Sequence, residues 1–382
     1  MRGSIRRRGN GYTIVYDVGR RWDEEGQCWK RKQKWEKVTA PDTKKHAEEL
    51  LAERLSEIHG GTFFEPTKIS FGEFVQIWLA RYARGEGQIR HSTLVQYDGF
   101  FRNHLLPCFE DVQLTSITVE DIQDFKVQKL SEGLSPQTVK HLLRLLRQML
   151  EHALVWQYVR LNPAKQVRMP RVPQKTMRVL SPAEVRSLLD ASEEPYRTLF
   201  LTAVVSGLRI GEILAMRWAN LDLDKGQYHV REAWLRPRAG KPASFGVPKT
   251  PSSVAPVDIT PSCCEALHAH RRTQAEEMLK AGSDYHHRGL IFATASGTPL
   301  DPWNLTKRAF YPALEAAGLP RLRLHDLRHT CASLLISQGE SAKYVAHQLR
   351  HSSVQITLDR YSHLFPEDRS RAAERLDAVL LG

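Results

Sequence analysis

A proline-spaced, basic stretch divides this chain. Asn162-Pro163 and then Met169-Pro170-Arg171-Val172-Pro173 interrupt helical patterning on both sides. Proline fixes φ and carries no N–H, so a helix does not run through such spacing. The stretch, residues 169–178, reads as an interdomain linker. With 382 residues, the chain has room for two or three domains of about 100–200 residues each. It contains no apolar run of about 18 residues, so no membrane span is expected. Arg6-Arg7-Arg8 follows the first residues with no apolar core, so no secretion signal is expected.

Residues 1–65 form a zone of their own. Met1–Ala40 holds eleven Lys or Arg against five Asp or Glu. Gly9-Asn10-Gly11 is a hairpin turn signal, and Tyr12 to Val18 is rich in β-branched and aromatic residues. Lys30 to Val38 reads as another strand, with Lys30, Lys32 and Lys34 on one face. Asp42 or Thr43 can cap a helix to about His59, striped by Leu50, Leu51, Leu55 and Ile58. The expectation is a three-stranded sheet backed by one helix.

Residues 66–168 are helical in pattern. Phe71, Phe74, Val75 and Trp78 recur at helical spacing. A second helix begins near Ser92-Thr93, a third after Thr118, and a fourth at Ser135-Pro136, where serine caps and proline takes the first helical position. This predicts a four-helix bundle. Residues 179–382 predict a mainly helical domain with a small antiparallel sheet, its strands at Tyr228–Leu235 and Val254–Ile259. The fold class is therefore α+β and multidomain.

Lys and Arg total 55 against 43 Asp and Glu, a net charge of +12. That excess favours a polyanionic partner, nucleic acid first. Five scattered cysteines, Cys28, Cys108, Cys263, Cys264 and Cys331, make neither a disulfide framework nor a zinc knuckle. Reduced thiols in a cytoplasmic protein are expected. There is no GxxxxGK[ST] phosphate loop and no HExxH motif.

The informative residues lie in the last domain. Leu324-His325-Asp326-Leu327-Arg328-His329-Thr330 puts His325 and Arg328 on one helical face. An arginine beside a histidine suits a phosphate, since Arg supplies planar charged donors and His moves a proton. Leu349-Arg350-His351 and then Asp359-Arg360-Tyr361-Ser362-His363 follow. Upstream, Ser206-Gly207-Leu208-Arg209-Ile210-Gly211-Glu212 adds an arginine, with Glu212 placed to hold the helix or orient it. Lys249, in Pro248-Lys249-Thr250, falls in a hairpin between the two strands. Each of these alone reads as a salt pair, a solvated lysine or a packing tyrosine.

Together, in order and spacing, Arg209, Lys249, His325, Arg328, His351 and Tyr361 resemble the active-site set of tyrosine recombinases, the phage-type integrases. The resemblance covers the whole last domain. It implies that residues 179–382 are catalytic, that 66–168 bind core-type DNA sites, and that 1–65 bind arm-type sites. It departs at Arg350, where the family often has glycine, and at Ser253-Val254-Ala255, where an arginine is common. Arg350 is expected to add a phosphate contact or to shift His351.

The chemistry the resemblance implies needs no cofactor, metal or ATP. Arg209 and Arg328 would neutralise the nonbridging oxygens of a DNA phosphate, and His351 would donate a further bond. Losing one such donor costs roughly 10²–10³ in rate. Tyr361 would be the nucleophile, His325 the group handling its proton, and Lys249 the acid for the leaving 5′ oxygen. The partners implied are double-stranded attachment sites of core and arm type, three further copies in a tetramer joined through the C-terminal tail, and a host DNA-bending protein or excision factor. A bacterial, nucleoid-associated location follows. For DNA grip, Arg6, Arg7, Arg8, Lys30, Lys32 and Lys34 are groove or phosphate contacts. Thr93, Lys140, Arg144 and Arg147 lie on helices that face DNA in the family. A noncatalytic DNA binder, a type IB topoisomerase and a metal-dependent nuclease are the competing readings.

Overall fold

Cross-strand register in the first sheet decides which side chains a helix can cover. A computed structural model describes residues 3–9, 11–23, 27–41, 43–60, 63, 68–83, 89–173, 177–235, 244–246, 254–365 and 377–381. Strands β1 (Gly3–Arg8), β2 (Gly11–Asp23) and β3 (Cys28–Lys37) form an antiparallel meander. Helix α1 (Lys44–His59) is capped by Thr43, whose hydroxyl accepts from the His46 N–H. Its leucines pack on Ile14 and Tyr16, with Val38 and Ala47 completing a small core. Tyr16 donates to Glu36 at 2.6 Å, and Arg54 reaches the same carboxylate from α1 at 3.2 Å.

The helical region that follows has its own apolar core, built on Phe71, Phe74, Trp78, Leu142, Leu146 and Met149. It comprises α2 (Phe71–Trp78), α3 (His91–Phe100), a short α4 (Leu106–Phe109), α5 (Val119–Ser131) and α6 (Pro136–Val155). Helices α2 and α3 each continue into a π-helical turn, a feature that 3.6-residue periodicity does not disclose. Capping boxes at Ser70–Glu73 and Thr118–Asp121 start α2 and α5.

The chain separates into two compact units, 1–174 and 175–382. The second is mostly helical: α7 (Pro182–Asp190), α8 (Tyr196–Ser206), α9 (Ile210–Ile213), α10 (Pro261–Ala281), α11 (Pro302–Leu305), α12 (Tyr311–Ala316), α13 (Asp326–Ser337), α14 (Ala342–Leu349) and α15 (Val354–Tyr361). Its strands are short: β4 (Leu221–Asp222), β5 (Gln227–His229), β6 (Ala233–Leu235), β7 (Ser244–Gly246) and β8 (Pro256–Asp258). Here the structure corrects the sequence pattern. The 228–235 strand is broken after His229, so β5 pairs with β8 while β6 pairs with β7 in a separate ladder. Among the described residues no helix is long and apolar enough to cross a membrane. None of the five cysteines is paired.

Candidate active site

Three turns in the second unit carry the matched residues. The first follows α8. Gly207 adopts the left-handed conformation, φ 61°. A Cβ there would lie 2.5 Å from Leu349 Cδ2 and 3.1 Å from Cys331 Sγ. Glycine is therefore required by both backbone and space. Arg209 comes next, at the N-cap of α9. The Glu212 carboxylate accepts from the Arg209 N–H at 2.8 Å and from its Nη1 at 2.9 Å.

The second turn opens α13. Asp326 accepts from the Arg323 N–H at 2.8 Å and from its Nη2 at 2.6 Å, fixing the approach to the helix. His325 sits at the N-cap, half-buried. Arg328, 4% exposed, donates from Nη1 to the Gly207 carbonyl at 2.6 Å and from Nη2 to the Leu349 carbonyl. It thereby ties the turn before Arg209 to the turn before His351. Burial, with the Arg209 cation adding, lowers its pKa to about 9, so it stays cationic at neutral pH.

The third turn joins α14 to α15. Gln348 pins it by donating to the Asp258 carbonyl at 2.9 Å and accepting from the Asp258 N–H at 3.0 Å. Arg350 is left-handed, φ 54° and ψ 48°, a conformation that costs a side-chain-bearing residue about 1–2 kcal/mol. Its guanidinium does not point outward. It is wholly buried and donates to Glu212, because the carboxylate inside the fold needs a counter-charge. No surface of it is left for an incoming phosphate, contrary to one expectation from the sequence. His351 follows, its Nδ1 bonded to the Thr357 hydroxyl at 2.8 Å. Burial first, then Arg328 and Arg209, pull its pKa to about 3.

Tyr361 ends α15 with 1% of its surface exposed. Its hydroxyl lies 2.5 Å from His329 Nδ1. His329 and His325 meet edge to face, centroids 5.1 Å apart. Burial, with His325 next, brings the His329 pKa to about 4. The phenol is raised to about 12 by burial, against the pull of Arg328 and Arg360. The imidazole is thus neutral and the phenol protonated, so Tyr361 donates. Burial and then Arg328 also lower His325. Sequence reasoning passes over His329. Its only signal is its place four residues after His325, on the same side of the helix.

Arg209, His325, Arg328, His351 and Tyr361 are therefore brought together, joined by Glu212, His329, Arg350 and Arg360. Lys249 and its flanks, 247–253, lie outside the described residues. So does most of the tail; residues 377–381 are helical, with Val379, Leu380 and Leu381 exposed.

The residues expected to grip DNA divide. Arg6 and Arg8 stand over the Trp35 ring, 4.6 and 4.8 Å from its centroid. Trp22 and Trp29 meet edge to face on the same side of the sheet, at 5.5 Å. Arg7 pairs in register with Tyr12, and Lys34 with Tyr16, so both belong to the side that α1 covers. Lys30 and Lys32 share that side by alternation. Lys34 Nζ lies 5.7 Å from the Phe63 ring centroid. On α6, Arg144 is exposed and Lys140 half-buried, and Thr93 near the start of α3 is half-buried. Arg147 turns back to its own chain, donating to the carbonyls of Ala164 at 3.0 Å, Lys165 at 3.3 Å and Val167 at 3.2 Å. Among the described residues no group of three or more His, Cys, Asp or Glu could hold a metal ion.

Comparison with known proteins agrees with this geometry. The phage integrase family model matches residues 178–368, and the model for the phage integrase N-terminal SAM-like domain matches 70–131. A tyrosine recombinase XerC-like protein of Caldanaerobacter subterraneus subsp. tengcongensis is 29% identical over 97% of this chain and 96% of its own. The ICEBs1 integrase of Bacillus subtilis is 28% identical over 88% of this chain and 91% of its own. Among solved structures, the Tn1549 transposon integrase in complex with a circular intermediate DNA superposes with a TM-score of 0.68 at 19% identity, covering 81% of this chain and 99% of its own. A lambda integrase tetramer bound to a Holliday junction gives 0.56 at 18% identity, covering 95% of each chain. With Tyr361 folded against the clustered arginines and histidines of its own unit, and the family model spanning that unit, the chain belongs to the phage integrase family and is a tyrosine-type site-specific recombinase.

Proposed function

We propose that this protein is the integrase of a mobile element, cutting and rejoining double-stranded DNA through a 3′-phosphotyrosine intermediate without metal or ATP. The observation that carries the reading is the Tyr361 hydroxyl, held within the same unit as Arg209, Arg328 and His351 and feeling the Arg328 charge. Residues 66–168 bind the core site, 1–65 the arm site and 179–382 perform the chemistry.

A phosphodiester repels an anionic nucleophile, so fixed positive charge must come first. Arg209 and Arg328 supply it at the nonbridging oxygens, and His351 donates a further bond as charge develops. Tyr361 attacks phosphorus and its proton passes to an imidazole. His329 already touches the phenol, and His325 is the second proton-handling group. Lys249 protonates the departing 5′ oxygen. One phosphodiester is exchanged for another, so a 5′ hydroxyl of the partner duplex can reverse the step. Four such sites act on two duplexes, and the apolar helix at 377–381 docks on a neighbouring subunit of the tetramer.

The sheet side carrying Arg6, Arg8, Trp22, Trp29 and Trp35 is the arm-DNA face, because α1 occupies the other. Lys140 and Arg144 take phosphates of the core site.

The test is covalent capture. Wild-type protein expressed in its host forms adducts that map to one attachment site; a nicked duplex carrying that site traps the intermediate, and Tyr361→Phe binds it without linking. Binding with no adduct from wild type overturns the enzyme reading. Relaxation of supercoils without site preference favours a topoisomerase, and loss of cleavage in chelator favours a nuclease.

A further inference from the structure

Arg360 stands at the site but has no task in the chemistry above. It comes one residue before Tyr361 at the end of α15, and it is exposed. On a helix, residues 360 and 361 lie three and four positions after Thr357, so the three share one side. Thr357 and Tyr361 are its buried members: the Thr357 hydroxyl meets His351 Nδ1 at 2.8 Å, and the Tyr361 hydroxyl meets His329 Nδ1 at 2.5 Å. Arg360 is the open edge of that stripe. Its charge reaches His329 on α13, His351 in the turn before α15 and Tyr361 itself, lowering the titration of each. Groups on three separate elements feel it, which puts the guanidinium at the mouth of the site rather than on the outer face of α15.

Its surroundings offer it no anion. Arg350 meets Glu212, Arg323 meets Asp326, and Arg328 donates to two carbonyls. Asp359, the neighbour in sequence, accepts from Gln355 at 2.7 Å. Arg360 itself forms no hydrogen bond, ion pair or ring stack among the described residues. A cation that shares Tyr361 and His351 with Arg328 and has no counter-charge is unfavourable in the free protein, and an arriving polyanion removes that cost. The two nonbridging oxygens of the scissile phosphate are assigned to Arg209 and Arg328. We propose that Arg360 binds the phosphate next to the scissile one on the cleaved strand, so that the duplex itself holds the end of α15 that carries Tyr361. This rests on the catalytic reading above.

The experiment is a cycle between one side chain and one phosphate, run on the full chain with duplexes carrying the mapped core site. The duplexes hold phosphodiesters throughout, or a single uncharged methylphosphonate at the neighbour of the scissile phosphate on its 5′ or its 3′ side. Wild type, R360A and R360K are compared. On the unmodified duplex, R360A should lower the salt slope of binding by about 0.9, the release for one phosphate contact, and R360K should keep the wild-type slope. With the methylphosphonate on one of the two sides, wild type should lose the same slope and R360A should lose nothing more. Single-turnover adduct formation should follow the same pattern, each change alone slowing it about tenfold, the lower end for a hydrogen bond to a charged group, and the two together no further. A solvated arginine at a helix end gives no such coupling. Additive losses at both neighbours, in slope or in rate, or an R360A slope equal to that of wild type, overturn the proposal. If wild type binds these duplexes but makes no adduct, it is the catalytic reading that fails, and the slopes still decide the contact of Arg360.

Discussion

The Tyr361 hydroxyl and His329 Nδ1 are 2.5 Å apart in a pocket closed to solvent. The imidazole titrates near 4 and the phenol near 12. The imidazole is unprotonated at any working pH, and so weak a base takes the phenolic proton only as the oxygen bonds to phosphorus. Wild-type adduct formation should therefore change little between pH 6 and 8. His329→Asn keeps an acceptor at the same position but cannot take the proton. It should be about 10²-fold slower at pH 7, within the range for general-base catalysis. Its rate should climb about tenfold per pH unit as the phenol ionises unaided. Single-turnover rates across that range check this; a flat profile for the asparagine variant would mean that His329 only packs the ring.

Much of this architecture is legible in the sequence where a local rule decides. Ser70–Glu73, Thr118–Asp121 and Ser181–Glu184 cap their helices because a short side chain and an acid three residues on satisfy exposed N–H groups. Arg209, Arg328 and His351 are legible as a set through their spacing. Arg147 is not: its three carbonyl partners at 164–167 appear only once the chain folds back on α6. Nor is Arg350, whose direction depends on a Glu212 that is 138 residues away. The sidedness of Arg7, Lys30, Lys32 and Lys34 was also hidden, because alternation gives two faces without saying which one a helix will cover.

Gly207 is a sensitive point for stability. Alanine there meets left-handed strain of about 1–2 kcal/mol and a Cβ placed 2.5 Å from Leu349, an overpacking cost of about 1–3 kcal/mol. Gly207→Ala should therefore lose about 2–5 kcal/mol. It should also disturb the carbonyl that holds Arg328 Nη1. Denaturant unfolding followed by tryptophan fluorescence measures it; a loss below about 1 kcal/mol would show that Leu349 yields freely.

His329 near 4 and His351 near 3 stand below the 6.5 of an exposed imidazole. Between those values the unfolded chain binds protons that the folded chain refuses. Stability therefore rises with pH across this window and is lost as pH falls through it. The melting temperature of the full chain should level off above about pH 7 and decline from pH 6.5 to 4.5, a range lying above most carboxylate titrations. His351→Ala should shallow that decline. An unchanged slope would show that the site admits the proton without unfolding.

Arg6 and Arg8 lie across Trp35 on the open side of the first sheet, whereas Lys30 and Lys32 lie on the side of α1. A duplex cannot use both sides at once. A guanidinium stacked over an indole is pre-oriented and loses little freedom when it meets a phosphate. If the open side takes the DNA, Arg8→Ala should lower the salt slope of binding by about 0.9, the release expected for one phosphate contact. Trp29→Ala should weaken binding while leaving the slope alone, since an indole displaces no counterion. Lys32→Ala should change neither beyond a small, long-range effect. Titrations of full-length protein with the DNA flanking the mapped core site, at several salt concentrations, separate these outcomes. A slope that moves with Lys32 and not with Arg8 would place the duplex at the sheet margin beside α1, and the tryptophans would need another partner.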